Sequence, residues 1–292
     1  MQKKRNWEEY NEKLVRRGEL YISLDFLENW DEKLDKMNSG KVGRPYIYPQ
    51  TFMQFLAFLH KAFLPYRQLE GLLRKLSEHI SKLRVIDYST ICKRLKKLDF
   101  EIPRNLREDL VVAIDSSGMK VTNRGEWIRH KWKTHRGWIK VHIAVDTKTK
   151  KLLALRVTDE RTGDGKMLKP LVEDVKEKGE KITRVYADGG YDSKDNFNYL
   201  ADNDIEPVIK TRKDASTKAR GSPSRAKKVR EIKELGYEGW RDKYKYGYRW
   251  MVETFFSGVK RVFGETVRAK TIEGVFQEVK IKFILYNMLL NV

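Results

Sequence analysis

The sequence holds one cysteine, Cys92, in 292 residues, so neither an intrachain disulfide nor a cysteine-based zinc site can form within it. That usage fits a reducing compartment. Its five histidines never fall at a metal-binding spacing such as H-E-x-x-H; His130 and His135 lie in the basic run RHKWKTHRGW, where contact with a polyanion or solvent is expected. No stretch approaches the roughly 18 uninterrupted apolar residues of a membrane span, and the start, MQKKRNWEEYNEK, has no apolar h-region behind its basic residues. A cytoplasmic location is the expectation. Acid is the other shortage: 41 Asp and Glu face 61 Lys and Arg, a formal charge of +20. A surplus of that size implies a polyanionic partner, and nucleic acid, whose neutralised phosphates release counterions, is the expected one.

What is present suits a folded protein. Hydrophobic residues make up 40% of the chain, and its length allows one large domain or two modest ones. Residues 1–44 are charged and end in SGKVGRPY, which reads as a basic arm leading into a first packed unit. Within 45–103 the spacing predicts helices. PQTFMQFLAFLHKAF (49–63) sets Phe52, Phe55, Leu56, Leu59 and Phe63 at helical intervals, and RQLEGLLRKLSEHI follows. STICKRLKKLDF comes next, with Ser89 as the expected N-cap and Lys93, Arg94, Lys96 and Lys97 as a basic face. Two short helices, the second strongly basic, suggest a helix-turn-helix DNA reader. A small bundle with a solvated lysine face has the same pattern.

From 104 to 292 the period changes. LVVAID (110–115), WIKVHIAVD (138–146) and KLLALRV (151–157) read as three strands of an antiparallel meander. Then come a helix (164–178), a strand (182–187), a helix (193–203) and a short strand (205–209). Helices are expected again at 245–262 and 271–290. This order predicts an α/β domain with a mixed sheet flanked by helices. Between 210 and 243 lies a basic insertion; its first part, 210–233, has ten Lys or Arg against two acids and almost no large apolar side chain. It reads as a mobile segment able to order on a phosphate backbone.

Asp115 closes the apolar run VVAI and Asp188 closes VYA, so each carboxylate is expected at a strand end, where the crevice of an open α/β sheet takes its ligand. DGGYD supplies glycines for close approach. Two clustered carboxylates repel unless protonated or bridged by divalent cations. Magnesium, a hard ion that combines a few carboxylates with substrate phosphate, suits them, and two such ions can clamp an in-line displacement at phosphorus. In YKYGYRWMVETFFSGVK, Tyr246, Arg249, Glu253 and Lys260 would share one helical face. A glutamate flanked by phosphate-holding cations suits a site, although an exposed helix with internal ion pairs has the same spacing.

At these residues the chain resembles the DDE transposases of bacterial and archaeal insertion sequences. Their carboxylate triad matches Asp115 in AIDSSGMK, Asp188 in YADGGYDS and Glu253. Their tyrosine, arginine, glutamate, lysine signature matches Tyr246, Arg249, Glu253 and Lys260 with gaps of two, three and six. The likeness covers about residue 45 to the end, and the 210–233 segment departs from it. It implies a ribonuclease H-like catalytic domain behind an all-α DNA-binding region. It further implies two Mg2+ ions (Mn2+ can substitute) held by Asp115, Asp188 and Glu253, and phosphate contacts from Tyr246, Arg249 and Lys260. Cleavage at terminal inverted repeats, strand transfer into target DNA, a homodimer on DNA and a nucleoid location complete the expectation. A hydrolytic nuclease of the same fold and a non-enzymatic DNA-binding derivative are the competing readings. GDGKML (163–168) lacks the P-loop pattern, and Ser117 with Lys120 matches S-x-x-K only by spacing. Asp146 and Asp192 read as turn or cap residues, while Asp164 is open between turn and spare ligand.

Overall fold

Strand alternation and helical spacing resolve into two units in the computed structural model, which describes residues 6–99, 101–102, 109–121 and 138–291. One unit comprises 1–100 together with 281–292, the other 101–280. His130, His135 and the expected boundary at 103/104 lie outside the described residues.

In the first unit, helices α1 (Trp7–Tyr21), α2 (Trp30–Asn38), α3 (Gln50–Ala62), α4 (Tyr66–Ser77) and α5 (Tyr88–Lys96) follow one another. The expected arm at 1–44 is corrected here, because most of it is helical. The reason is aromatic: Phe26 and Trp30, both buried, pack on Phe52 at ring-centroid distances of 5.1 Å each, and Phe26 also meets Phe55 at 5.0 Å. Three apolar side chains, Phe26, Trp30 and Leu34, are enough to fix a segment that is otherwise charged. The cap of α5 also differs from expectation. Asp87, not Ser89, accepts the backbone N–H groups of Ser89 and Thr90 and both of their hydroxyls, an arrangement that holds its carboxyl far below the usual range.

The second unit carries the sheet: β1 (Leu110–Val121), β2 (Trp138–Asp146), β3 (Leu152–Asp159), β4 (Ile182–Ala187) and β5 (Glu206–Ile209). Their order is β3-β2-β1-β4-β5, with β6 (Thr266–Val267) added beside the end of β1. β1, β2 and β3 pair antiparallel, whereas β1, β4 and β5 pair parallel. This mixed sheet, with its meander first and parallel crossovers after, is the ribonuclease H-like arrangement. Between strands lie α6 (Leu168–Lys176) and α7 (Lys194–Asp202), whose Leu168, Leu171, Val175, Phe197 and Leu200 form one core with Val112, Ile114, Val185 and Ala187 of the sheet. After β5 come α8 (Pro223–Tyr244), α9 (Trp250–Phe263) and α10 (Ile272–Leu290).

Helix α8 corrects the expectation of a mobile basic insertion over 210–243. Its cations are fixed by acids at distant sequence positions. Arg225 grips the fully buried Asp192 at 2.6 and 2.8 Å. Lys228, itself buried, reaches Glu206 and Glu231 and lies 3.7 Å from the centre of the Tyr244 ring. Trp240 is wholly buried, and Gly236, at φ 68° and ψ 166°, makes the kink that turns the helix.

Candidate active site

Asp115 is not at a strand end, as expected from VVAID, but midway along β1, which runs on to Val121. The exposure expected of a strand end arises differently. β4 pairs with β1 only as far as Ala113 opposite Tyr186, so two residues further on, Asp115 and Asp188 stand where the parallel ladder opens. Alternation sets both on one face: Ile114 and Ala187 enter the core on the α6 and α7 side, which turns Asp115 and Asp188 to the other. Asp188 starts the 3-10 turn Gly189–Tyr191, and its Oδ1 accepts from Gly190 N at 2.8 Å. A Cβ on Gly190 would stand 3.0 Å from that oxygen, so the glycine permits the turn to close over the carboxylate.

Helix α9 brings the third acid. Asp115, Ser117, Glu253, Phe256 and Lys260 line one open pocket of about 380 Å³. Arg249 joins two of the acids: its Nη1 donates to Asp115 Oδ2 at 3.1 Å and its Nη2 pairs with Glu253 Oε1 at 2.6 Å. Burial pushes the Asp115 carboxyl up to about 6, and the charges of Asp188 and Glu253 push the same way, against the Ser116 N–H and Arg249. Asp115 and Glu253 thus share a pocket with Arg249 between them and Lys260 beside them, and the charge of Asp188 reaches Asp115. Among the described residues, no three of His, Cys, Asp and Glu are grouped so as to enclose an ion; the guanidinium stands between two of the acids instead.

Tyr246 departs from the expected shared helical face. It precedes α9, in the 3-10 turn Tyr246–Arg249, and is buried against Trp240 at a centroid distance of 4.9 Å. Its hydroxyl donates to Ala187 O at 2.9 Å, one residue before Asp188. Burial raises its pKa above the usual tyrosine value, so it stays protonated and keeps donating. Tyr246 therefore braces the strand that carries Asp188 and does not present its hydroxyl to a ligand. Tyr246→Phe should cost about 1–3 kcal/mol, because the Ala187 carbonyl loses a buried partner; urea unfolding that shows no loss would refute the brace.

In the first unit, Lys93, Lys96 and Lys97 are exposed. Arg94 is not spare: it donates to Tyr48 O at 3.3 Å and lies 4.5 Å from the centre of the Tyr46 ring. Asp146 accepts Lys148 N, Thr149 N and the Thr149 hydroxyl, a turn. The expected capping role of Asp192 is corrected: Ser193 caps α7, and the buried Asp192 carboxylate instead accepts Arg225 and Arg212 N, the latter at 3.0 Å. Sequence reasoning missed Ser116 and Lys140, whose hydroxyl and ammonium reach Asp164 Oδ1 at 2.8 and 3.1 Å. Only the alternation of β1 and β2 hinted at them.

Comparison with known proteins gives the family. The family model "Transposase DDE domain" matches residues 106–288, and a second model of the same description matches 15–124. Among solved structures, a piggyBac transposase synaptic complex with hairpin DNA is 12% identical with a TM-score of 0.44, over 94% of this chain and 74% of that one. A Drosophila P element transposase strand transfer complex is 10% identical with a TM-score of 0.33, over 96% and 85%. A simian T-cell lymphotropic virus intasome with a PP2A regulatory subunit is 14% identical with a TM-score of 0.25, over 64% and 68%. These structural likenesses are distant. None of the described helices is long and apolar enough to cross a membrane. With a family match that spans most of the chain and takes in Asp115, Asp188 and Glu253, this protein belongs to the transposase DDE domain family, an enzyme of DNA transposition.

Proposed function

We propose that this chain cuts DNA at the ends of a mobile element and joins them to target DNA at one site, with Asp115, Asp188 and Glu253 as its catalytic acids. The observation that supports it best is the sharing of Arg249 between Asp115 and Glu253 beside the open end of the β1 and β4 ladder. Transposase DDE domains generally use divalent metal ions, and the donor chemistry here fits. Three hard carboxylates suit Mg2+; burial chiefly raises the Asp115 pKa, and the charges of Asp188 and Glu253 add to it. Asp115, Asp188 and Glu253 would hold two such ions, or Mn2+ in their place. A bound pair would supply charge neutralisation at the reacting phosphate and lower the pKa of a water.

The chain's own residues do the rest. Asp115 and Asp188 are fixed by the sheet, so the reacting phosphate meets a rigid floor, while Glu253, with a half-exposed side chain, can exchange partners. Arg249 and Lys260 would hold phosphate oxygens, the first as a planar fork and the second as a point charge. In the first step water attacks phosphorus, the strand's O3′ leaves, and a free 3′ hydroxyl and a 5′ phosphate result. That hydroxyl then attacks a target phosphodiester, displacing another O3′, so bonds broken and formed balance. Terminal inverted repeats would meet Lys93, Lys96 and Lys97 of α5, with Arg94 bracing that helix as well as lying beside the DNA. Two ends must be paired, which calls for a homodimer on DNA, associated with the nucleoid.

Strand transfer separates this reading from a hydrolytic nuclease. Given pre-cleaved ends with free 3′ hydroxyls, Mg2+ and a target plasmid, the wild type should yield joined products. Hydrolysis without joining would reject the transferase half of the proposal.

A further inference from the structure

Asp164, in the segment GDGKML, has no part in the proposed reaction, yet it lies where two strands lose their common ladder. The pairing of β4 with β1 ends at Ala113 opposite Tyr186, and both Asp115 and Asp188 stand beyond that point. Asp164 opens a 3-10 turn, Asp164–Met167. Alternation sets Ser116 and Lys140 on the sheet face opposite Asp115, and this turn meets the sheet there. We propose that the turn is a strut that holds Asp115 and Asp188 at a fixed separation, which makes Asp164 a positioning residue for the acid pair. The inference rests on the reading of those acids as the catalytic site.

One end of the strut grips the strands. Asp164 Oδ1 accepts the Ser116 hydroxyl at 2.8 Å and Lys140 Nζ at 3.1 Å, so one carboxylate ties β1 to β2. Ser116 directly follows Asp115, and its N–H donates to Asp115 Oδ1 at 2.8 Å. Lys140 also donates to Thr162 O at 3.0 Å, and its charge offsets that of Asp164. His142, fully buried, has Nδ1 3.9 Å from Asp164 Oδ1; burial lowers its pKa, so it adds no charge at neutral pH.

The other end grips the DGGYD turn. Gly165 lies against Gly190, where a Cβ would stand 3.1 Å from Gly190 O, so only a bare backbone lets the two turns close on each other. Asn196, buried at the start of α7, spends both amide hydrogens across the junction, on Gly165 O at 3.0 Å and Tyr191 O at 2.9 Å. The backbone that Gly165 touches is the one that places the second acid, because Gly190 N donates to Asp188 Oδ1. Between the ends sits Tyr191, wholly buried. Burial and the charges of Asp115, Asp164 and Asp188 all raise its pKa, so a neutral ring fills the space. The separation matters because a misplacement of about 1 Å can cost a hundredfold in rate.

Amide hydrogen exchange in EDTA tests the strut without metal or DNA. In Asp164→Ala the Ser116 and Gly190 amides, which hold the two carboxylates, should exchange roughly 5- to 100-fold faster. Gly165→Ala keeps every donor and acceptor and adds one methyl against Gly190 O, so it should speed the Gly190 amide and leave Ser116 nearly unchanged. Asp164→Asn, whose amide oxygen can still accept the Ser116 hydroxyl, should restore much of the protection, which guards against a folding defect in the alanine variant. Mn2+ affinity, read from the electron paramagnetic resonance of the free ion, should fall by about 10- to 100-fold in Asp164→Ala and recover in part in Asp164→Asn. Wild-type exchange at both amides in Asp164→Ala, or faster exchange with unchanged Mn2+ affinity, overturns the strut. A wild-type protein that takes up no Mn2+ would instead refute the acids as metal holders, and the exchange rates would then decide the strut by themselves.

Discussion

Asp115→Asn should stop DNA cleavage and at the same time make the metal-free protein more stable above pH 6. The first effect follows from its place in the acid pocket. Losing one of three carboxylates that would hold divalent ions would remove several kcal/mol of the charge neutralisation such ions supply at the phosphate, and about 4 kcal/mol is a thousandfold in rate. The second follows from linkage. Its carboxyl sits at about 6 in the folded chain against an ordinary value of 3.8. The folded state therefore binds more protons than the unfolded one between those values, and stability falls as pH rises through that window. A difference of about 2 units corresponds to about 3 kcal/mol at 1.36 kcal/mol per unit. Asparagine carries no charge to desolvate, but it forgoes the ion pair with Arg249. About 1–2 kcal/mol of net stabilisation is expected at pH 7.5, fading towards pH 4. Denaturant unfolding in EDTA at both pH values checks it; a variant no more stable than wild type at pH 7.5 would contradict the electrostatics of the site.

The largest stability effect belongs to a residue away from the chemistry. Asp192→Ala should cost about 3–5 kcal/mol, because it leaves Arg225 without the carboxylate it was buried against. Asp192 has no exposed side-chain surface and Arg225 only 17%; the same carboxylate also satisfies Arg212 N. The pair ties the start of α8 to the turn that follows Asp188, so its loss should loosen the whole 210–244 segment. Removing both charges, in Asp192→Leu with Arg225→Met, should recover much of the loss, since apolar replacements of a buried pair are often close to neutral. Hydrogen exchange would locate the effect: new exchange in α8 and in the DGGYD turn is expected. An Asp192→Ala protein with wild-type stability would show that α8 is held by Trp240 and Lys228 alone.

These two residues also mark how far the sequence can be read. The sheet was legible because β1 opens on the unbroken apolar run LVVAI and β2 alternates, and period two needs no tertiary knowledge. The three candidate acids could be proposed for two reasons: Asp115 and Asp188 each follow an apolar run, and Glu253 lies in the spaced signature that carries the family resemblance. The length of β1 was not. SSGMKV looks like a turn, yet β2 pairs with it through Lys120 opposite Trp138, and that pairing is invisible locally. Helix α8 was hidden for a related reason. A lysine or arginine reads as solvated unless its acid is known, and Asp192 and Glu206 lie 33 and 22 residues away from Arg225 and Lys228. Tyr246 misled in the opposite sense, since its spacing to Arg249 is that of one helical face. The turn at Lys245, which has a positive φ of 51°, sends its ring inward to Trp240 instead.

The most direct trial of the central claim is cleavage of DNA carrying the sequences that flank this gene, by wild type and by Asp188→Asn, with Mg2+ and with EDTA. Asp188 is the informative choice. Its carboxylate is placed by a backbone turn and makes no ion pair with Arg249, so a neutral isostere leaves the Arg249 bridge intact. Wild type with Mg2+ should cut at the element's end, and both EDTA and Asp188→Asn should reduce that cutting at least about a thousandfold. Cutting by Asp188→Asn at the wild-type rate would contradict the assignment of these acids as the catalytic site.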